Sequence, residues 1–86
     1  MAYTIILVDK IAEAQVDDLS DNEFATLMEI YEVLRLVPEN GMILRGKASQ
    51  TAMYVFAHRG IEVVYLIVAS TVQVAIVRVN RLPDVV

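Results

Sequence analysis

The apolar positions of this chain are most concentrated in Tyr54–Val79. That stretch has 26 residues, of which 18 are apolar, and breaks at Arg59-Gly60 and Ser70-Thr71 divide it into three runs. Valine, isoleucine, tyrosine and phenylalanine dominate the runs, which is typical of β-strands. Because apolar and polar residues do not alternate cleanly, the pattern predicts three strands with apolar side chains on both faces.

One strand and two helices are predicted before these runs. Tyr3–Val8 has strand character, and Asp9 after it is a suitable N-cap for a short helix. The residues SDNE at Ser20–Glu23 form a capping-box pattern, so a second helix is expected to begin there. It should end near Leu36, since the residue before Pro38 avoids the helical region. The apolar stripe of this second helix comprises Phe24, Leu27, Met28, Tyr31 and Leu34.

The predicted element order is β-α-α-β-β-β, with residues 43–51 as a connection. We therefore predict an α+β fold: a four-stranded, largely antiparallel sheet with two helices on one face. At 86 residues the chain has room for one core, so residues 1–86 are expected to form a single domain.

The second face of this sheet has no predicted cover. Period-two alternation places two apolar rows on opposite sides of the middle strand: Ile61, Val63, Tyr65 and Ile67 on one, and Val64, Leu66 and Val68, with Glu62, on the other. The sequence does not decide which row meets the helices. We take the row of Val64, Leu66 and Val68 as a candidate partner interface, because exposed apolar patches usually mark binding surfaces. The alternative is that loops and the C-terminal tail fold over it.

Composition and charge sharpen this picture. The apolar fraction of 57% lies above the typical value of roughly 45–50%, which argues against disorder. The net charge of −4 is uneven, because residues 1–39 carry −7 and residues 40–86 carry +3. An acidic chain of this kind can still present a basic patch. The alternative is a solvated acidic helix pair beside a sheet with a few bases at its edges.

Several classes of protein are disfavoured. No cysteine is present, which excludes disulfides and thiolate metal sites and fits a reducing, cytoplasmic setting. The opening MAYTIILVDK lacks a basic leader, so no secretory signal is expected. The apolar stretch Val63–Val77 is shorter than the ~20 residues of a membrane-spanning helix. Neither a cofactor nor a metal is expected, since no glycine-rich phosphate loop or cluster of metal ligands is visible.

Four short sequence motifs follow one another from Leu36 onward. The second helix ends in L-x-P, and L-R-G follows at Leu44–Gly46. A strand led by Tyr54 precedes one that contains V-V-Y at Val63–Tyr65, and the last strand closes with R-V at Arg78-Val79. In these features the chain resembles the RelE/ParE superfamily of toxins from bacterial toxin–antitoxin pairs.

The resemblance implies partners as well as a fold. Members of this superfamily are generally inhibited by a cognate antitoxin that wraps around the toxin, so a homo- or hetero-oligomer is expected. The RelE branch cuts messenger RNA on the ribosome, whereas the ParE branch poisons DNA gyrase and is not a nuclease. Ribosome-bound mRNA and DNA gyrase are therefore the candidate targets. An antitoxin segment would also supply the missing cover for the sheet.

The chemistry of the RelE branch is only partly present. Attack of a 2′-hydroxyl on the adjacent phosphate needs proton transfer and cations that stabilise the developing charge. The resemblance implies basic residues where this chain has Val55 and Ala57, and an arginine where it has Glu62. The chain closes with PDVV where the superfamily often has an aromatic or basic catalytic residue. Arg78 and Arg81 stand near expected catalytic positions and are the candidate catalytic residues.

These departures favour a toxin, or toxin-derived protein, that acts by binding and has a degraded ribonuclease site. Arg45, Lys47 and Arg59 are candidate contacts to nucleic acid or another target. His58, the one histidine, lies at a predicted turn, where such residues are more often solvated than catalytic. Two alternatives stay open: an active ribosome-dependent mRNA endonuclease, and a non-toxic homodimeric interaction protein on the same scaffold.

Overall fold

The computed structural model describes residues 2–45 and 52–83. The described residues form two helices and five strands, with short 3₁₀ helices at Pro38–Asn40 and Ala69–Thr71. In chain order the elements are β1 Thr4–Leu7, α1 Lys10–Asp17, α2 Asp21–Leu36, β2 Met42–Arg45, β3 Met53–His58, β4 Ile61–Val68 and β5 Gln73–Arg81.

The strands form one mixed sheet in the order β1-β5-β4-β3-β2. Strand β1 is parallel to β5, and the other neighbours are antiparallel. The predicted α+β class is confirmed, but the predicted count of four strands is wrong. Met42–Arg45, most of which was assigned to a connection, pairs with β3 as the fifth strand. A shift of register between Ile43 and Arg45 interrupts this strand, and so short a run gives little periodicity to detect.

Side chains cap both helices as the sequence predicts. The Asp9 carboxylate accepts a hydrogen bond from the Ala12 N–H at 2.8 Å. At the start of α2 the Glu23 N–H donates to the Ser20 hydroxyl, and the Ser20 N–H donates to the Glu23 carboxylate. Helix α2 ends at Leu36, as expected from Pro38. Within the described ranges, no helix combines the length and the apolar character needed to cross a membrane.

The core lies between α2 and one face of the sheet. Its fully buried side chains on β4 are Ile61, Val63 and Tyr65. The side chains of α2 that meet them are Leu27, Ile30 and Leu34, while Val16 from α1 packs against the same cluster. Both helices therefore lie on one face, as predicted. The predicted stripe is turned slightly, since Ile30 is buried and Phe24 is 45% exposed.

Two turns fix the register of the long strands. Arg59 and Gly60 both have positive φ, 50° and 82°, which is the two-residue hairpin turn predicted between β3 and β4. Val72, just before β5, also has positive φ, 53°. That conformation is unfavourable for a β-branched residue. The carbonyl of Val72 nevertheless accepts the Thr4 N–H at 3.0 Å and so joins β1 to β5.

The Tyr65 hydroxyl fixes the segment that leads into β2. It donates to the Pro38 carbonyl at 2.5 Å and accepts the Gly41 N–H at 3.2 Å. A Cβ at position 41 would collide with this hydroxyl, so the close approach requires glycine there. The ring of Tyr65 also stacks on Tyr54, with 5.5 Å between the ring centroids.

Candidate functional site

The sheet face opposite α2 carries the positions at which the resemblance implies a cleavage site. Val55 and Ala57 of β3 lie beside Val64 and Glu62 of β4, and Arg78 of β5 lies beside Val64. An open cavity of about 410 Å³ borders this face next to Val55, Ala57 and Glu62. Of these five side chains, Arg78 alone is cationic, and Glu62 carries the opposite charge.

The start of α1 neutralises Arg78. Its guanidinium donates to the Asp9 carboxylate at 2.8 Å. The Ala12 N–H, followed by Arg78, holds the pKa of Asp9 below its ordinary value. Asp9 therefore stays ionised over a wide pH range, and one carboxylate both caps α1 and pairs with the candidate catalytic arginine.

Arg81 lies at the other side of the sheet and is also paired. Its Nε donates to the Glu23 carboxylate at 2.7 Å, and its Nη1 donates to the Asp18 carboxylate at 3.1 Å. The hydrogen bond from Arg81, together with that from the Ser20 N–H, lowers the pKa of Glu23 to about 2. The two acids in turn raise the pKa of Arg81. This arginine therefore connects β5 to the beginning of α2.

The structure does not bring the two candidate catalytic arginines together. Arg81 pairs in register with Ile61, whose side chain lies in the core beneath the helices. Arg78 pairs with Val64, on the opposite face. Side chains three residues apart along a strand lie on opposite faces of the sheet, so the spacing alone predicts that Arg78 and Arg81 are separated.

The other predicted cations are dispersed. Arg59 is exposed in the turn between β3 and β4. Lys47 lies outside the described residues, as does the side chain of Arg45, whose backbone ends β2. Next to the Arg59 turn, the His58 Nε2 lies 3.0 Å from the Glu29 carboxylate, so this histidine links β3 to α2.

The proposed partner row is less open than the sequence suggests. Val64 is 9% exposed, and Leu66 and Val68 are half-buried. Val64 lies between Val55 and Arg78 in the sheet, so its neighbours shield much of it. The row stays a prediction of a partner surface.

A groove beside β1 was not predicted. It forms a cavity of about 620 Å³ between β1, α1 and α2. Its apolar lining consists of Ile5, Ile6, Leu7, Val16, Phe24, Met28 and Tyr31. A second cavity of about 420 Å³ shares Ile5, Met28 and Tyr31 and continues the groove towards Tyr3 and Arg35. The sequence places Phe24, Met28 and Tyr31 on the apolar stripe of α2. Periodicity shows which residues share a face but not how far the sheet extends beneath it, so the groove could not be predicted.

Tyr31 lines this groove. Its hydroxyl is buried and has no hydrogen-bond partner among the described residues. Burial raises the pKa of Tyr31 to about 12.

Comparison with known proteins gives a result at the level of structure. No protein-family model matches this chain, and no curated protein matches it significantly. A chain of the archaeal RelE–RelB complex from Pyrococcus horikoshii superposes with a TM-score of 0.78 and 14% identity, covering 99% of this chain and 100% of that one. The isolated E. coli RelE toxin gives a TM-score of 0.74 and 25% identity, covering 98% of this chain and 88% of that one.

The chain has the RelE-like toxin fold. A third match is to the toxin–antitoxin complex RelBE2 from Mycobacterium tuberculosis, with a TM-score of 0.75 and 22% identity over 94% of this chain and 99% of that one. These matches confirm the resemblance drawn from the L-x-P, V-V-Y and R-V features.

Several of the similar structures contain two components. The P. horikoshii and M. tuberculosis structures are toxin–antitoxin complexes. A further match, at 26% identity and a TM-score of 0.71, is an E. coli RelE mutant with two arginines changed to alanine, bound to a peptide of its antitoxin RelB. RelE toxins thus share the fold of this chain and occur in complexes with an antitoxin.

Proposed function

We propose that this RelE-like chain is the toxin, or a toxin-derived component, of a toxin–antitoxin pair. It acts by binding its target, an antitoxin holds it, and its ribonuclease site is degraded. The similarity to RelE chains over almost the whole length supports the first part. The charge of the sheet face opposite α2 supports the rest.

The main support for a degraded site is charge: the described part of that face has no excess of positive charge. Arg78 is balanced by Asp9 at 2.8 Å, and Glu62 adds a further negative charge nearby. Val55 and Ala57 contribute no charge. Cleavage through a 2′-hydroxyl develops negative charge on the phosphate, and removing one stabilising donor typically costs about 2.7–4 kcal/mol of transition-state stabilisation. A carboxylate in place of such a donor opposes the reaction further.

An antitoxin fits the apolar surface of the chain. Met42, Ile43 and Leu44 of the outer strand β2 are 75%, 48% and 58% exposed. Phe24 beside β1 is 45% exposed. Exposed apolar side chains at both edges of a small domain are typical of a protein that is covered by a partner. A partner that wraps around the sheet would cover both.

The test is expression of the chain alone in bacteria, followed by two assays with the purified protein. We expect growth arrest, no ribosome-dependent mRNA cleavage, and relief of the arrest when a small antitoxin-like reading frame adjacent to its gene is expressed with it. Inhibition of DNA supercoiling by gyrase would assign the ParE type of target. Robust mRNA cleavage by the unmodified chain, lost in Arg78→Ala, would overturn the degraded site and favour the endonuclease.

A variant that restores charge tests the same idea from the other direction. Glu62→Arg combined with Val55→Lys places two cations on the same sheet face as Arg78. If the scaffold still docks on ribosome-bound mRNA, this variant should gain cleavage that the parent lacks. Glu62→Gln with Val55→Gln is the matched control, because it removes the carboxylate and adds polar groups without adding positive charge.

A further inference from the structure

Glu62 gives the sheet face opposite α2 a negative charge that no described neighbour balances. Its carboxylate accepts one hydrogen bond, from the Asn80 amide nitrogen at 3.3 Å, and forms no ion pair with a described base. Arg78, two residues before Asn80 on the same face, is already paired with Asp9 at 2.8 Å. Among these described groups, one carboxylate is therefore left in excess.

Neutral amides hold this carboxylate in position without neutralising it. The Gln15 amide nitrogen donates to the Asn80 side-chain oxygen at 3.1 Å, and the Gln15 oxygen accepts the Val79 N–H at 2.7 Å. Asn80 in turn donates to Glu62. A chain of three side chains thus runs from α1 to the sheet face. A carboxylate that is already oriented loses little conformational entropy when it binds a cation.

A largely apolar cavity lies beside the Glu62 carboxylate. Its volume is about 410 Å³, and Glu62 lines it together with Val55, Ala57 and Gly41. Met42 of the outer strand β2, which is 75% exposed, lines the same cavity. Apolar walls around a single carboxylate lower the local dielectric constant and so strengthen an ion pair that forms there.

A guanidinium group fits this arrangement. Its planar fork binds a carboxylate through two parallel hydrogen bonds, while its alkyl stem packs on apolar walls. An ammonium group is a more strongly hydrated point charge and loses more on entering apolar surroundings. A phosphate is repelled by the Glu62 carboxylate. Charge and shape therefore favour an arginine side chain, which is also among the residues that contribute most to binding at protein interfaces.

We propose that this face binds an arginine side chain of a partner polypeptide, with the guanidinium on the Glu62 carboxylate and the alkyl stem in the cavity. Apolar residues beside that arginine contact Met42 and Leu44, which are 75% and 58% exposed. In the context of the proposed function this partner is the target that the chain binds, and that assignment rests on the proposed function.

Charge and symmetry favour a different polypeptide over a second copy of this chain. The net charge of −4 makes two copies repel each other. Arg59 is exposed in the turn between β3 and β4 and has no ion pair among the described residues, so a second copy offers this arginine. Its insertion into a neighbour would be a head-to-tail contact, which extends into a filament unless the rotation closes a ring. Both considerations favour a partner of another sequence.

The experiment titrates the full, isotope-labelled chain with a synthetic peptide of about nine residues that has one arginine between two leucines in a background of serine and glycine. We expect NMR shifts at the amides of Val55, Ala57 and Glu62, and weaker binding at higher salt. The matched peptide has citrulline in place of arginine, which keeps the shape and removes the charge. It should bind at least about fivefold more weakly.

Two variants with the same change of net charge locate the site. Glu62→Gln removes the carboxylate from the cavity, whereas Glu13→Gln removes one from α1, beside the groove at β1. Glu62→Gln should weaken binding of the arginine peptide at least about fivefold, and Glu13→Gln should leave it within about twofold. Glu62→Arg should reverse the preference and bind a peptide with glutamate in place of arginine more tightly than the arginine peptide. Equal effects of the two glutamine variants, or equal binding of the arginine and citrulline peptides, would overturn the proposal.

Further outcomes separate this proposal from the proposed function. Shifts at Val55, Ala57 and Glu62 that grow with chain concentration in the absence of peptide, and vanish in Arg59→Ala, would assign the cavity to a second copy and overturn the proposed partner. No binding at about 5 mM peptide, by a chain that still arrests growth, would refute the arginine site and leave the proposed function intact. Arginine-dependent binding by a chain that arrests no growth would support the site and refute the toxin.

Discussion

Strand β1 and the part of β5 that extends beyond it lie at the same edge of the sheet. Their polar groups are paired to different degrees. Along β5, Arg78, Val79 and Arg81 each have a polar partner from the helical region, at 2.8 Å, 2.7 Å and 2.7 Å. Along β1, the outward backbone groups of Ile5 and Leu7 face a groove with apolar walls. The polar groups named on β5 are paired within the chain, whereas the outward backbone groups of Ile5 and Leu7 have no partner among the described residues.

This difference separates structural from functional roles. An arginine that binds phosphate must give up its internal carboxylate. Arg78 and Arg81 connect β5 to the N-terminal parts of α1 and α2, and a catalytic role for either stays a prediction. Exposed ion pairs contribute only about 0–1 kcal/mol each, but the carboxylates involved also cap α1 and α2, which fixes their positions. At β1, by contrast, the outward backbone groups of Ile5 and Leu7 have no partner among the described residues and lie beside an apolar groove.

The largest expected effect tests whether the groove is distinct from the core. Leu27, on the inner face of α2, is fully buried, and Phe24, one turn earlier in the same helix, is 45% exposed. Leu27→Ala should lower the free energy of unfolding by about 2–5 kcal/mol. Phe24→Ala should lower it by about 1 kcal/mol, because half of its area is already in water. Urea denaturation measures both, and equal losses would mean that the groove wall is part of the core.

The next largest effect tests the edge of β5 at Val79, which the side chain of Gln15 covers. In Gln15→Ala the Val79 N–H loses its acceptor, and leaving a buried donor without a partner costs about 1–3 kcal/mol. Gln15→Glu is the matched control, since it keeps an oxygen that can accept from Val79. Hydrogen exchange at the Val79 amide should accelerate in Gln15→Ala alone. Unchanged exchange there would show that Gln15 does not protect this edge.

The elements of the fold follow from local sequence, while the contacts that distinguish the two edges do not. The capping box at Ser20–Glu23 is contained in four consecutive residues, and the end of α2 follows from a nearby proline, so both were predicted correctly. Arg81 and Glu23 are 58 residues apart, and Gln15 and Val79 are 64 apart. No periodicity reports such pairings. Strand β2 was missed because its run is short and interrupted.

The junction between β5 and β1 provides a smaller effect. Val72 has φ 53° and ψ 50°, a left-handed conformation that typically costs about 1–2 kcal/mol for a residue with a side chain. Val72→Gly should therefore be more stable than Val72→Ala by about 1 kcal/mol, since both lose the branched side chain and glycine alone adopts this conformation freely. Thermal unfolding of the two variants measures the difference. Equal stability would show that the conformation at Val72 is not strained.

The smallest effect concerns the ion pair of Arg81 and is best seen through pH. The folded-state pKa of Glu23 is about 2, below its ordinary value of 4.5. A depressed carboxyl pKa contributes stability that is fully present above the unfolded pKa and is lost as pH falls through the folded pKa. The unmodified chain should therefore lose stability between pH 4.5 and about pH 2 relative to Glu23→Gln.

The choice of glutamine isolates the contribution of charge from that of the helix cap. Glutamine can still accept the Ser20 N–H and so keeps the capping box, while the ion pair with Arg81 is lost. Urea midpoints for both proteins at several pH values should converge towards the acid end of that range. If the urea midpoints of the two proteins differed by the same amount at every pH, Arg81 and Glu23 would not form an ion pair in solution. The guanidinium of Arg81 would then be free, and β5 would lose one of the polar contacts that distinguish it from β1.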